Sequence, residues 1–186
     1  ARGPHFRLDA EVIRDLTLQA SDLLDPTMGG EGVKPYQPAG MWKSIGNRKS
    51  NTRVYVQDKG SKLYRRSVYV YWKRASPHPM MTICDAPNPE SGCVARSRTD
   101  TPLQSLALLN ETQRIESARK LAEFLLESAT SSEDRIQLLF KRLTARDANE
   151  KEQAACLGLL EKAKQDYSND QKLAESLLQV GDAAQN

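Results

Sequence analysis

Residues 96–110 read RSRTDTPLQSLALLN, two arginines and a Thr-Pro pair followed by an almost wholly apolar run. Thr101 suits the residue that caps a helix, Pro102 the first helical position and Gln104 the third residue after the cap. There the Thr hydroxyl and the Gln amide satisfy backbone donors that the first helical turn leaves without partners. Leu103, Leu106, Ala107, Leu108 and Leu109 then cover most faces, which predicts a central, buried helix. The arginines ahead of it admit two readings. Arg96 and Arg98 either pair with acids at helix starts and order the loop entering the core, or extend a basic surface toward an anion at the helix start.

Downstream the same grammar repeats. Asn110 ends the first helix and can cap a second, whose stripe is Ile115, Ala118, Ala122, Leu125 and Ala129, with Glu116 and Lys120 as an outer pair. Ser132 starts a third, with Ile136, Leu139, Phe140 and Leu143 inward. Asn149 with Glu152 starts a fourth carrying Cys156, Leu160, Ala163 and Tyr167, and Ser168 with Gln171 a fifth carrying Leu173, Leu177 and Val180. Residues 101–180 therefore read as consecutive helices on short links, an antiparallel bundle without a repeat period.

Upstream, residues 8–24 place Leu8, Val12, Ile13, Leu16, Ala20, Leu23 and Leu24 near one helical stripe, stopped by Asp25-Pro26 and Gly29-Gly30. Residues 26–52 have no period and many prolines and glycines, Gly46 among them. A loop this long is usually functional, disordered or held by anchors; Tyr36, Met41 and Trp42 favour an ordered wrap. Residues 52–74 have strand composition, with Val54 and Val56 before the Asp58-Lys59-Gly60 turn and Val68 and Val70 after it. This predicts a short hairpin, although Tyr64, Val68, Tyr71 and Trp72 also fit helical spacing. Residues 75–95 read as a Pro-rich irregular connection. The fold class is mainly α, an antiparallel helical bundle with a small β-hairpin element and a long irregular wrapped loop. The sub-regions are an N-terminal helix in 1–25, an irregular and β-containing basic region in 26–100, and the bundle in 101–180.

The 186 residues suffice for one domain with a real core, or a small domain with an appended lobe. We expect a single domain cut from a larger protein, since the chain opens on ARGPHF. No apolar run is long enough to cross a bilayer, and no export leader stands at the start. The net charge is only +3, yet residues 43–98 hold 12 Lys/Arg against Asp58, Asp85 and Glu90, a local balance of +9. That asymmetry describes either a solvated face or a surface for anionic partners. Cys84, Cys93 and Cys156 form no C-x-x-C pair, and His5 and His78 lie 73 residues apart, so no metal site is expected.

The richest candidate site is YRRSVYVYWKR, residues 64–74. Either its aromatic residues pack while its cations stay wet, or Arg65, Arg66, Tyr69, Trp72, Lys73 and Arg74, extended by Arg96 and Arg98, form a platform. On such a platform aromatic faces stack on rings and guanidinium forks grip sulfate, carboxylate or phosphate. Asp85, Glu90 and Asp100 are the acids best placed to converge as a hydrolytic pair, but nothing in their spacing requires it. Ser67 and Ser97 lack a nucleophile-elbow context. No catalytic residue is assigned.

Taken in order, RLDAEVIRD (7–15), SDLLDPTMGG (21–30), LYRRSVYVYWKR (63–74), DAPNPES with Cys93, RSRTDTPLQSLALLN and LLQVGD (177–182) resemble one family, the PSD-one domain of planctomycete and verrucomicrobial proteins. That is a domain of unknown function, and the resemblance supplies no catalytic residues. It implies export to the periplasm or cell envelope and neighbouring domains in the same polypeptide. It also implies haem c in one of those neighbours, with no cofactor in this chain, and a link to polysaccharide breakdown. The expected role is a non-catalytic docking or ligand-binding module, with anionic polysaccharide rather than nucleic acid as the ligand. The alternative is part of a polysaccharide hydrolase completed by absent segments. In an exported protein Cys84 and Cys93, which flank a Pro/Gly turn, either bridge or remain thiols.

Overall fold

The computed structural model describes residues 6–45, 53–88, 90 and 92–185. His5, Gly46, Arg48, Lys49, Thr52, Pro89 and Ser91, all used in the sequence reading, lie outside them. Eight α-helices occur among the described residues: α1 (Ala10–Ala20), α2 (Met41–Ile45), α3 (Pro79–Ile83), α4 (Pro102–Asn110), α5 (Thr112–Ser128), α6 (Ser132–Thr144), α7 (Glu150–Asn169) and α8 (Gln171–Leu178). The chain forms two compact units, with boundaries at 19/20, 22/23 and 114/115, the last of these inside α5.

In the first unit, α1 does not bury the stripe its hydrophobicity suggests. Ala10, Arg14 and Leu18 face inward, while Leu8, Val12 and Leu16 are exposed. The helix stops at Ala20, before the Asp25-Pro26 signal, because Asp22 turns into the left-handed region at φ 57. Around it the loop of residues 23–45 wraps in an ordered path anchored by buried Val33, Pro35, Tyr36 and Trp42, as its aromatic residues lead one to expect.

Among the described residues the expected hairpin does not form. Residues 60–64 and 67–69 form two short 3-10 turns. The neighbouring backbone pairs with the wrapped loop: Asp25 N donates to the Tyr64 carbonyl (3.0 Å), Val33 N to Tyr69 (2.7 Å) and Tyr71 N to Val33 (2.8 Å). These are isolated parallel bridges, Asp25 with Arg65 and Val33 with Val70, so the two halves of the expected hairpin never meet as a ladder. Of the four valines that carried the alternation, Val70 alone is buried. It packs with Ala10, Met80, Met81 and Cys84, flanked by Ile13, Trp72, Ala86 and Ala107. Met80 and Met81 come from α3, a helix begun by Pro79 inside a connection whose prolines read as irregular.

The capping box of α4 forms as its sequence dictates: Thr101 Oγ1 accepts from Gln104 N (3.4 Å) and Gln104 Oε1 from Thr101 N (3.2 Å). Its burial does not follow. Gln104 alone is buried in the helix, because its amide donates to the Ile83 carbonyl (2.9 Å) and the Thr99 hydroxyl (3.0 Å). The leucines face outward.

In the second unit α6 packs on α7 and α7 on α8. Asn149 and Glu152 make a complete capping box at α7, while three other caps shift by a residue or two. Glu111, not Asn110, accepts from Arg114 N at the head of α5; Ser131, not Ser132, caps α6; and Asp170, not Ser168, caps α8. A larger correction concerns Glu116, which is fully buried and forms no outer pair with Lys120. Lys120 turns to Glu123, and Glu116 Oε1 accepts from the backbone N–H groups of Asp182 (2.6 Å) and Ala183 (2.7 Å). Arg119 completes the latch by donating to the Ala183 carbonyl (2.7 Å).

Gly181 makes this latch possible. Its φ is +95, and a Cβ there would lie 2.4 Å from the Glu116 carboxyl carbon. Gly181→Ala is therefore expected to cost about 2–3 kcal/mol and to abolish hydrogen-exchange protection at Asp182 and Ala183. Unchanged protection at those two amides would contradict the latch.

Candidate functional site

The polar centre of the first unit is Arg14, buried although cationic. Its guanidinium donates to Gln113 Oε1 (2.6 Å), to the carbonyls of Arg65 (2.8 Å) and Leu63 (2.8 Å) and to Ser67 Oγ (3.2 Å). Gln113 in turn donates to the Leu63 carbonyl (3.0 Å). Asp15, next along α1, receives the Ser67 N–H (2.8 Å) and hydroxyl (2.6 Å). One turn of α1 thus holds the 63–67 backbone, supplying donors to the Leu63 and Arg65 carbonyls and an acceptor to the Ser67 N–H. Burial pulls the Arg14 guanidinium down to about 10 against the attraction of Asp15 and Glu111.

Beside it lies His78, buried, with Nε2 facing the Tyr36 carbonyl at 2.9 Å. Burial, and then the Arg14 charge, pushes its pKa down to about 4, so the ring is neutral at physiological pH. Glu111, also nearby, has its carboxyl raised by burial, and Arg114 its guanidinium lowered by the same cause.

The basic-aromatic residues of 64–74 do not form one face. Arg65 is buried; its guanidinium donates to the carbonyls of Thr27 (3.0 Å), Glu31 (3.0 Å) and Gly29 and stacks on Tyr69, 4.0 Å from the ring centre. The Tyr69 hydroxyl accepts from Gly29 N (2.6 Å), so this pair closes the Gly29-Gly30 turn. Trp72 is half-buried against the core. Lys73 lies over the Trp42 ring at 4.3 Å, and Trp42 meets Tyr55 edge-on at 4.9 Å. Arg66 is half-exposed, 3.8 Å from Asp15, and Arg74 is exposed and pairs with Glu90. Arg65→Ser should accordingly lower stability by about 2–3 kcal/mol, through carbonyls left unsatisfied, whereas Arg74→Ser should stay within about 0.5 kcal/mol. Urea midpoints followed by tryptophan fluorescence decide this, since equal losses would deny Arg65 its structural role.

Arg96 and Arg98 answer to acids at a helix start. Arg96 pairs with Glu11 (2.7 Å) and Asp9 (3.6 Å); Arg98 reaches Asp9 (3.7 Å) and lies over Phe6 at 4.4 Å. The first of the two readings of these arginines is the one the structure adopts. Asp85 ties the same region together, accepting from Thr99 N (2.7 Å) and Oγ1 and from Arg7, so the Thr99 bonds hold its carboxyl below the usual range. With Glu90 on Arg74, two of the three acids read as candidates for hydrolysis are engaged in holding loops. The Cys84–Cys93 bridge is not formed: Cys84 is a buried thiol in the core, Cys93 is exposed and Cys156 half-buried.

One open patch of the first unit is apolar. Leu103, Leu106 and Leu109 of α4 are 56%, 58% and 75% exposed, and Leu108 is 37% exposed. No residue of Pro102–Asn110 carries a charge. Single exposed leucines need no explanation, but several on one short uncharged helix make a patch. Periodicity detected that the helix was apolar all round; it assigned the reason to the wrong side of the surface.

The molecule is thus a mainly helical protein whose arginines are largely spent on its own carbonyls and carboxylates, and whose open helical face is apolar. A family model, PSD1, described as a protein of unknown function (DUF1553), matches residues 1–160, and the chain belongs to that family. No curated protein and no solved structure matches the chain. Among the described residues no helix is long and apolar enough to cross a membrane, and no group of three or more His, Cys, Asp or Glu side chains is placed to hold a metal ion.

Proposed function

We propose that this chain is a non-catalytic docking module of a larger polypeptide, with the outer face of α4 receiving a neighbouring domain. The observation that carries the reading is the exposure of Leu103, Leu106 and Leu109 on a helix without charge. Covering such a face removes apolar area from water at roughly 25 cal/mol per Å2, without stranding a buried charge. The family resemblance supplies the context of the proposal: export to the periplasm or cell envelope, and haem c in a neighbour rather than here. Binding of anionic polysaccharide has less support, because Arg65, Arg74, Arg96 and Arg98 are already engaged. A hydrolase reading gains nothing from Asp85 and Glu90, which serve Thr99, Arg7 and Arg74.

The test is the double substitution Leu106→Glu and Leu109→Glu. Both side chains are exposed, so folding should change by no more than about 0.5 kcal/mol. Binding to the neighbouring domain supplied in trans, measured by calorimetry, should weaken by at least roughly tenfold. Equal affinity of variant and wild type would contradict docking through α4. Salt-sensitive retention on heparin by both proteins would favour the ligand-binding reading instead.

A further inference from the structure

Beside Arg14 lies a small, partly open cavity of about 10 Å3, lined by Arg14, Thr17, His78, Glu111 and Arg114 among others. A cavity needs about 10–15 Å3 of such space, and two to four polar partners, to hold one water molecule. Two of the lining residues carry buried atoms without a hydrogen-bond partner among the described residues, His78 Nδ1 and Arg114 Nη2. Their chemistry is complementary. Because a carbonyl accepts from His78 Nε2, the proton of the neutral ring sits on Nε2 and Nδ1 presents a lone pair. Arg114 already donates through Nη1 to Thr17 Oγ1 (2.6 Å), and its Nη2 has hydrogens to give. The two cannot be equivalent orphans: one lacks a donor and the other an acceptor.

We propose that this cavity is a binding site for a single ordered water molecule. The water accepts from Arg114 Nη2, donates to His78 Nδ1 and directs its second hydrogen to the Glu111 carboxyl group, which also lines the space. Three hydrogen bonds are the usual complement of a buried water. Other occupants fit less well. Phosphate and sulfate are too large for the volume, chloride would face the His78 lone pair and the Glu111 carboxylate, and a metal ion would sit beside two guanidinium groups. The bound water would join the His78 segment, Glu111 at the end of α4 and the start of α5 through one shared partner.

The wild-type chain tests this directly. A crystal structure that shows ordered solvent is expected to place a water within hydrogen-bonding distance of both His78 Nδ1 and Arg114 Nη2. In solution, oxygen-17 relaxation dispersion should count one fewer long-lived water in His78→Phe than in wild type. A dry cavity in the wild-type crystal, or a protein donor seated directly on Nδ1, would overturn the site. If His78→Phe fails to fold, the wild-type crystal alone decides.

Discussion

Arg14→Met is expected to destabilise the first unit by about 3–5 kcal/mol, enough to threaten the folding of a marginally stable protein. The substitution keeps the apolar stem and the helix propensity but removes a guanidinium that serves Gln113, Leu63, Arg65 and Ser67 at once. The Arg65 carbonyl and the Gln113 amide oxygen would lose their donor inside the unit, while the Leu63 carbonyl and the Ser67 hydroxyl would each fall back on one partner, Gln113 and Asp15. Each orphaned group costs about 1–3 kcal/mol, and the costs of neighbours do not simply add. Arg14→Lys should recover little, because an ammonium cannot reproduce a fork that bonds four groups in fixed directions. Both tryptophans, Trp42 and Trp72, lie in the same unit as Arg14, so fluorescence during urea unfolding reports on this unit alone. A loss below about 1 kcal/mol would show that the 63–67 backbone does not depend on α1.

The same unit should weaken on mild acidification, and His78 sets the window. Its folded pKa of about 4 lies below the ordinary 6.5. The unfolded chain therefore takes up a proton more readily, and stability present in full above pH 6.5 is lost progressively as pH falls toward 4. A depression of that size corresponds to about 3 kcal/mol. The groups around the ring explain the direction: burial first, then the Arg14 cation, opposed by the hydrogen bond to the Tyr36 carbonyl, with Arg114 and Glu111 lining the same cavity. Glu111 titrates with the opposite sense, since its raised folded pKa means that protonation relieves a buried charge. A His78→Gln control separates the two. Between pH 7 and 4.5 the fluorescence-detected midpoint of the wild type should fall markedly further than that of the variant. Parallel curves would mean that His78 does not titrate in the folded state as described.

Some of this architecture was legible in the chain and some was not, and the division is physical. The capping boxes at Thr101 and Asn149 could be read because donor and acceptor lie three residues apart. The ordered path of the wrapped loop followed from its buried aromatics, Tyr36 and Trp42. The hairpin failed because alternation describes the side-chain parity of a strand and not its partner. The backbone of 64–71 found the 25–33 loop instead of its own sequence neighbour.

Burial of polar residues was invisible for a similar reason. Arg14 reaches Leu63 across 49 residues of chain, and Glu116 reaches Asp182 across 66. On a helix each looks like an ordinary outward-facing charge. The segment LLQVGD did stand out, yet its purpose, a glycine that admits a buried carboxylate, appears only once Glu116 is in place. Of the candidate site, the residues were read as basic and aromatic, but the burial of Arg65 under the wrapped loop was not legible, while Arg66 and Arg74 do lie at the surface. A sequence lists cations without saying which are already occupied.

Under the proposed docking role the uncharged outer face of α4 is covered by a neighbouring domain. Carbene footprinting of Leu103, Leu106 and Leu109 tests it most directly, comparing this chain alone with the polypeptide that carries its neighbours. Strong labelling of the three leucines is expected in the isolated chain, where they are more than half exposed, and marked protection in the longer polypeptide. Equal labelling in both would contradict it.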